Sequence, residues 1–185
     1  MGKAVASQEV ANMLNDWYIL MKKRDISRSI EMKDDIDKAI EEMEEDQDVL
    51  LYYQMLDFRL RLLLEDISQS ATEKLEAIEF HDNDPKSTDD KLNYYFYLFK
   101  GIYEDYKQNH TEALNFFRIA EKRLGAIQNE IEKAEFHYKI GVLYYNLKAT
   151  WLSILHINIA AGIFQGYEGY AKRVINCKML IGLNY

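Results

Sequence analysis

With 185 residues and 48% hydrophobic content, the chain has enough apolar material for one packed domain or two small helical units, so disorder is not its default state. Its 23 Lys and Arg against 31 Asp and Glu leave a net charge of −8, which argues against a nucleic-acid backbone or an anionic membrane as main partner and favours a partner with basic surface. Cys177 is the one cysteine and cannot close an internal disulfide, and no apolar stretch of about 18 residues could cross a bilayer.

The N-terminus, MGKAVASQEV, is too polar for a signal peptide, and Ala6 stands where a myristoylation pattern needs a hydroxyl residue. A soluble, cytoplasmic protein is expected. Pro85 is the single proline and the eight glycines are scattered, so little interrupts regular structure. Val10, Met13, Leu14, Trp17, Leu20 and Met21 share one helical face, and Ile26, Ile30, Ile36, Ile40 and Met43 share a broader one. Asp25 in KKRDIS can cap the second helix, and Asp46 marks the start of a third. An all-α fold is expected, with a three-helix bundle over residues 1–66.

Turn formers and Pro85 then mark a boundary, predicted as a linker with a short helix over 67–86. Residues 87–185 contain a repeat. Gly101, Ala113, Phe117 and Ala120 have the offsets of the small and aromatic positions of a tetratricopeptide helix pair, and Gly141, Ser153, Ile157 and Ala160 reproduce them. IGLNY at 181–185 copies the opening of IGVLY at 140–144, so two repeats and the first helix of a third are expected. Repeat arrays are normally closed by a polar cap, which NCKMLIGLNY does not supply, so a truncated array is expected.

Metal and nucleophile chemistry find little support. His81, His110, His137 and His156 show no ligand spacing, and structural or surface roles are expected for them. Cys177 lies one helical turn from Val174 and from Ile181, the setting of a small core residue. YYFYLF at 94–99 reads as helix-packing core, and no glycine-rich phosphate loop or nucleophile elbow is present. One stretch, EEMEEDQDVLLYYQ at 41–54, stands out. Its acids suit a helix entrance, but they surround one amide, Gln47. Gln47, Leu50, Gln54 and Phe58 share a face of the third helix, opposite Tyr53, Leu56, Leu60 and Leu63. A bundle helix needs one buried stripe. The second, mixing amides with Leu50 and Phe58, reads either as a protein-contact surface or as packing between bundle and repeats.

VANMLNDWY, MEEDQDVLLYYQMLDFRLRLLLE, KLNYYFYLFKGIYEDYKQNHTEALNFFRIAEKRL and IEKAEFHYKIGVLYY closely resemble the Rap family of Bacillus-type bacteria, the response regulator aspartate phosphatases. The resemblance runs in order from about residue 5 to the last. It implies a three-helix bundle joined to a tetratricopeptide domain, in relatives roughly twice this length. Those relatives act on regulators of phosphorelay and competence signalling, some by dephosphorylation and others by blocking DNA binding. Short secreted signalling peptides, a quorum-sensing device, switch them off.

By this resemblance Gln47 is the catalytic glutamine, and Glu45, Asp46, Leu50, Gln54 and Phe58 contact the regulator, with Tyr95 and Phe96 completing the surface. The Mg²⁺ of such a reaction is expected in the regulator's own active site, with no cofactor or metal held by this chain. The peptide pocket of the family is built largely by later repeats, so peptide binding is expected to be absent or weak here. Three alternatives stay beside the phosphatase: sequestration of a regulator from DNA, an inactive remnant, and a peptide-sensing repressor. The last is disfavoured by nine Lys and Arg against sixteen Asp and Glu in residues 1–66, a net of −7 that repels phosphates.

Overall fold

Helix boundaries follow caps and tight turns that the sequence supplies. In the computed structural model residues 5–65 and 90–185 are described, and the predicted linker at 67–86 lies outside them. The chain divides into two compact units. The first holds α1 (Ser7–Lys22), α2 (Ile26–Glu42) and α3 (Gln47–Glu65). The second holds α4 (Asp90–Tyr106), α5 (His110–Leu124), α6 (Glu130–Asn146), α7 (Thr150–Gln165) and α8 (Ala171–Leu183).

In the first unit α1, α2 and α3 pack pairwise as a three-helix bundle. Asp25 caps α2, its carboxylate accepting from the Arg28 N–H. Val10, Leu14, Trp17 and Met21 are buried on α1, and Leu56, Leu60 and Leu63 on α3, as their spacing predicts. The predicted face of α2 needs correction, because Ile30 is exposed and Ile26 only half-buried while Ser29 and Ile36 are buried. The indole of Trp17 explains this: its Nε1–H donates to the Ser29 carbonyl at 2.7 Å, an approach that a small residue permits. The Ser29 hydroxyl in turn donates to the Asp25 carbonyl at 2.7 Å.

The second unit is built of helix pairs, α4 with α5 and α6 with α7, followed by α8 packed on α7. The residues at the repeat offsets, Gly101, Ala113, Phe117 and Ala120, then Gly141, Ser153, Ile157 and Ala160, are all buried. Each glycine lets the second helix of its pair approach closely. A Cβ on Gly101 would lie 3.3 Å from the Phe117 ring, and one on Gly141 only 2.7 Å from Ile157 Cδ1. The turns repeat as well. Gln108 and Lys148, 40 residues apart, both adopt left-handed φ, 64° and 59°. The next amides, Asn109 and Ala149, each donate at 2.8 Å to a carbonyl five residues back. At the corresponding Gly182 of α8 a Cβ would meet open space, and Ile175, Met179 and Leu183 form an exposed apolar stripe.

Candidate functional site

The start of α3 is assembled from backbone and acid groups. Asp46 caps the helix: its Oδ1 accepts from the N–H groups of Asp48 at 3.1 Å and Val49 at 3.2 Å, satisfying two donors that a helix start leaves without partners. Gln47 is therefore the first residue of the helix, exposed beside Glu45. Its Nε2–H donates to Glu45 Oε1 at 2.6 Å, a charge-assisted bond that orients the amide. Leu50 is half-buried and Gln54 exposed, so Gln47, Leu50 and Gln54 share an accessible face of the first two turns.

From Met55 to Leu60 every residue of α3 is buried. Phe58, at 1% exposure, does not join the accessible face that its spacing predicts. Periodicity assigns a residue to a face of its helix, but not what packs on that face. Tyr95 at 4% and Phe96 at 1%, which the resemblance implied on the regulator-contacting surface, are buried in the aromatic core of α4, as the reading of YYFYLF expects. Tyr95 stacks with Phe99, and Phe96 meets Tyr97 edge-on.

A polar cluster ties α2 to α3 beyond the entrance. Lys33 Nζ donates to both carboxylate oxygens of Asp37, at 2.9 and 2.8 Å, and to the Tyr53 hydroxyl at 3.0 Å. It also pairs with Asp57 at 3.2 Å, and the Tyr53 hydroxyl donates to Asp37 Oδ1 at 2.6 Å. Burial alone would lower the Lys33 pKa. The hydrogen bonds to Asp37 and Tyr53 and the charge of Asp57 outweigh it, so the ammonium is held well above its ordinary value. Burial likewise pushes the Asp37 carboxyl up, but the bonds from Lys33 and Tyr53 bring it below its ordinary value. Lys33 and Asp37 are thus held in their charged forms, and a stacked Trp17–Tyr53 pair joins the cluster to α1.

The second unit contains two constellations that spacing did not show. His137 of α6 and His156 of α7 meet with their Nδ1 atoms 2.9 Å apart, a pairing that their spacing along the chain does not show. Nineteen residues separate them, the length that an antiparallel helix pair folds back on itself. Burial, and then the neighbouring His156, lowers the His137 pKa to about 4, and burial lowers that of His156 against the opposing charge of Glu121. At neutral pH the pair is an uncharged N–H···N bond. On α8, Arg173 is buried against Glu135 at 2.8 Å, with its guanidinium 4.1 Å from the centre of the Tyr138 ring. The Arg173–Glu135 contact is an ion pair without the angle of an aligned hydrogen bond. Cys177 is buried as its spacing predicts, and burial pushes its thiol up to about 11. Among the described residues no group of three His, Cys, Asp or Glu side chains could hold a metal, and no helix is long and apolar enough to cross a membrane.

The architecture defines an all-α protein in which a three-helix bundle precedes tetratricopeptide-type helix pairs. The family model described as response regulator aspartate phosphatase H, N terminal, matches residues 4–65. The chain is 38% identical over 185 residues to Regulatory protein RapK of Bacillus subtilis (strain 168), covering 98% of this chain and 49% of that protein. It is 37% identical over 179 residues to Response regulator aspartate phosphatase I of the same organism, covering 95% and 46%. Among solved structures, a Rap protein complexed with Competence and Sporulation Factor superposes with a TM-score of 0.80 at 35% identity, covering 96% of this chain and 49% of that one. The chain belongs to the Rap family, and it spans about half the length of the curated relatives it matches.

Proposed function

We propose that the bundle docks a phosphorylated response regulator and that Gln47 orients the water that hydrolyses its aspartyl phosphate. The observation that carries this reading is the exposed Gln47 amide at a capped helix entrance, its Nε2 held by Glu45. An aspartyl phosphate is an activated acyl phosphate, held beside Mg²⁺ by the regulator's own acids, so the phosphatase need supply little beyond a positioned water. A neutral amide suits the task. With one Nε2 hydrogen committed to Glu45, Oε1 accepts from the water and the second hydrogen is free to meet a phosphoryl oxygen. A carboxylate at position 47 would bring a further negative charge to the phosphoryl group.

Docking rests on Leu50 and Gln54, rimmed by Glu45 and Asp46, an acidic border suited to a basic regulator surface. Phe58 is buried in the bundle and Tyr95 and Phe96 in the second unit, so in the conformation described none of the three side chains is open to a regulator. The test is release of label from a radiolabelled phosphorylated regulator under single turnover. Gln47→Ala is expected to slow release at least about tenfold with little change in regulator affinity. Release as fast as wild type would remove the catalytic assignment.

A second reading is sequestration of a regulator from DNA without hydrolysis. It is supported by the relatives' names, since RapK is called a regulatory protein and phosphatase I a phosphatase at nearly the same identity. Gel-shift competition separates the two readings: sequestration frees the DNA while the lifetime of the phosphorylated regulator stays the same.

A further inference from the structure

The residue just before α1 is bound to the loop that carries the candidate site. The Val5 N–H donates to the Glu42 carbonyl at 3.0 Å, and the Glu44 N–H donates to the Val5 carbonyl at 3.4 Å, a parallel bridge of the kind made between strands. The first bond satisfies a carbonyl that the end of α2 leaves without a helical partner. The second fixes Glu44, and only Glu45 and Asp46 lie between it and Gln47. Those two residues are the ones that hold the amide and cap the helix. On its other side Val5 continues through the extended Ala6 directly into α1, which is anchored by the buried Val10, Leu14 and Trp17. A rigid connection therefore runs from the bundle core, through two main-chain hydrogen bonds, to the side chain of Gln47.

We propose that Val5 is a positioning residue for Gln47, its backbone clamping the 43–46 loop so that the glutamine amide is held in one orientation at the surface. The proposal rests on the phosphatase reading for its catalytic consequence. Glu45 and Gln47 are both exposed, and an exposed pair of long side chains has little of its own to keep it ordered. The backbone on which both are mounted must supply that order. The loop also lacks glycine, and Met43 is extended with φ −75° and ψ 146°, so the clamp holds an unstrained conformation.

Because the clamp is made by the main chain, its chemistry predicts which substitutions matter. Val5→Pro removes the first donor. Glu44→Pro removes the second, and the extended Met43 before it tolerates proline. Val5→Thr and Glu44→Ala keep both donors. The experiment measures single-turnover label release and regulator affinity for all four variants, with thermal melts to confirm that each is folded. Val5→Pro and Glu44→Pro are expected to slow release about tenfold at nearly unchanged affinity, because a small misplacement of a positioning group has that scale of effect. Val5→Thr and Glu44→Ala are expected to match wild type. Full activity in both proline variants would overturn the proposal, as would a loss shared equally by the threonine and alanine controls.

A second readout separates this proposal from the phosphatase reading beneath it. The side-chain amide of Gln47 is followed by heteronuclear NOE in ¹⁵N-labelled protein. Ordered Nε2 signals in wild type that become mobile in Val5→Pro support the clamp even if wild type and Gln47→Ala release label equally. Identical signals in the two proteins would overturn the clamp even if the phosphatase reading holds.

Discussion

The two units hold their key residues in place by different physics. At the start of α3, Gln47 is exposed and is held by polar bonds: the Asp46 cap, the Glu45 carboxylate and the Val5 bridge. In the repeats, the residues that define the pattern are buried, and close approach of helices holds them, with Gly141 seated against Ile157 and Arg173 against Glu135. A polar bond at the surface contributes little to stability but much to orientation. A buried contact contributes the reverse. Substitutions in the repeats should therefore register in melting, and those at the α3 entrance mainly in activity.

The sharpest test of that difference is Arg173→Ala, which removes the cation paired with the buried Glu135 carboxylate. Destabilisation of about 3–5 kcal/mol is expected from loss of one partner of a buried pair, measured by urea denaturation. A loss below about 1 kcal/mol would show that the pair is not held dry. Next comes Gly141→Ala, whose new Cβ would meet Ile157 at 2.7 Å. Overpacking of that kind costs about 1–3 kcal/mol. Gly101→Ala, at 3.3 Å from the flat Phe117 ring, should cost less, and a reversed order would mean that the second pair is the more yielding one.

Asp46→Ala probes the other side of the comparison. Loss of the cap is expected to cost about 1 kcal/mol of bundle stability. Label release should fall further than that loss explains, because the loop carrying Glu45 and Gln47 is freed. Equal stability and full activity would argue that the cap is dispensable for the site.

The smallest expected effect is a pH dependence. In the unfolded chain His137 titrates near 6.5, and in the folded chain burial lowers it to about 4. The unfolded state therefore takes up a proton over that window while the folded state does not, so stability falls as pH drops from 6.5 toward 4. Discounted for the partial exposure of His137, the loss is about 1 kcal/mol. His137→Phe should flatten this part of the pH profile of the melting temperature, and an unchanged slope would point to other groups.

Much of this organisation was legible before any coordinates. The α1 stripe, the caps at Asp25 and Asp46 and the offsets from Gly101 and Gly141 are local or periodic features, and each has its expected place in the structure. The face of α2 is not legible in the same way, because Ile30 looks more like core than Ser29 and only the position of the Trp17 indole chooses between them. Phe58 shares the spacing of Gln47 and Leu50, yet the burial of α3 from Met55 to Leu60 removes it from the accessible face.

The sequence by itself determined an all-α chain with a capped acidic entrance bearing one glutamine, followed by helix pairs seamed by glycine. Those properties depend on residues within a few turns of one another, where helical period and capping chemistry act directly. Only the tertiary structure decided that Val5 reaches Glu42 and Glu44, that His137 meets His156, and that Lys33 gathers Asp37, Tyr53 and Asp57. These contacts join separate helices, and their partners are chosen by how the helices pack, which local spacing does not encode.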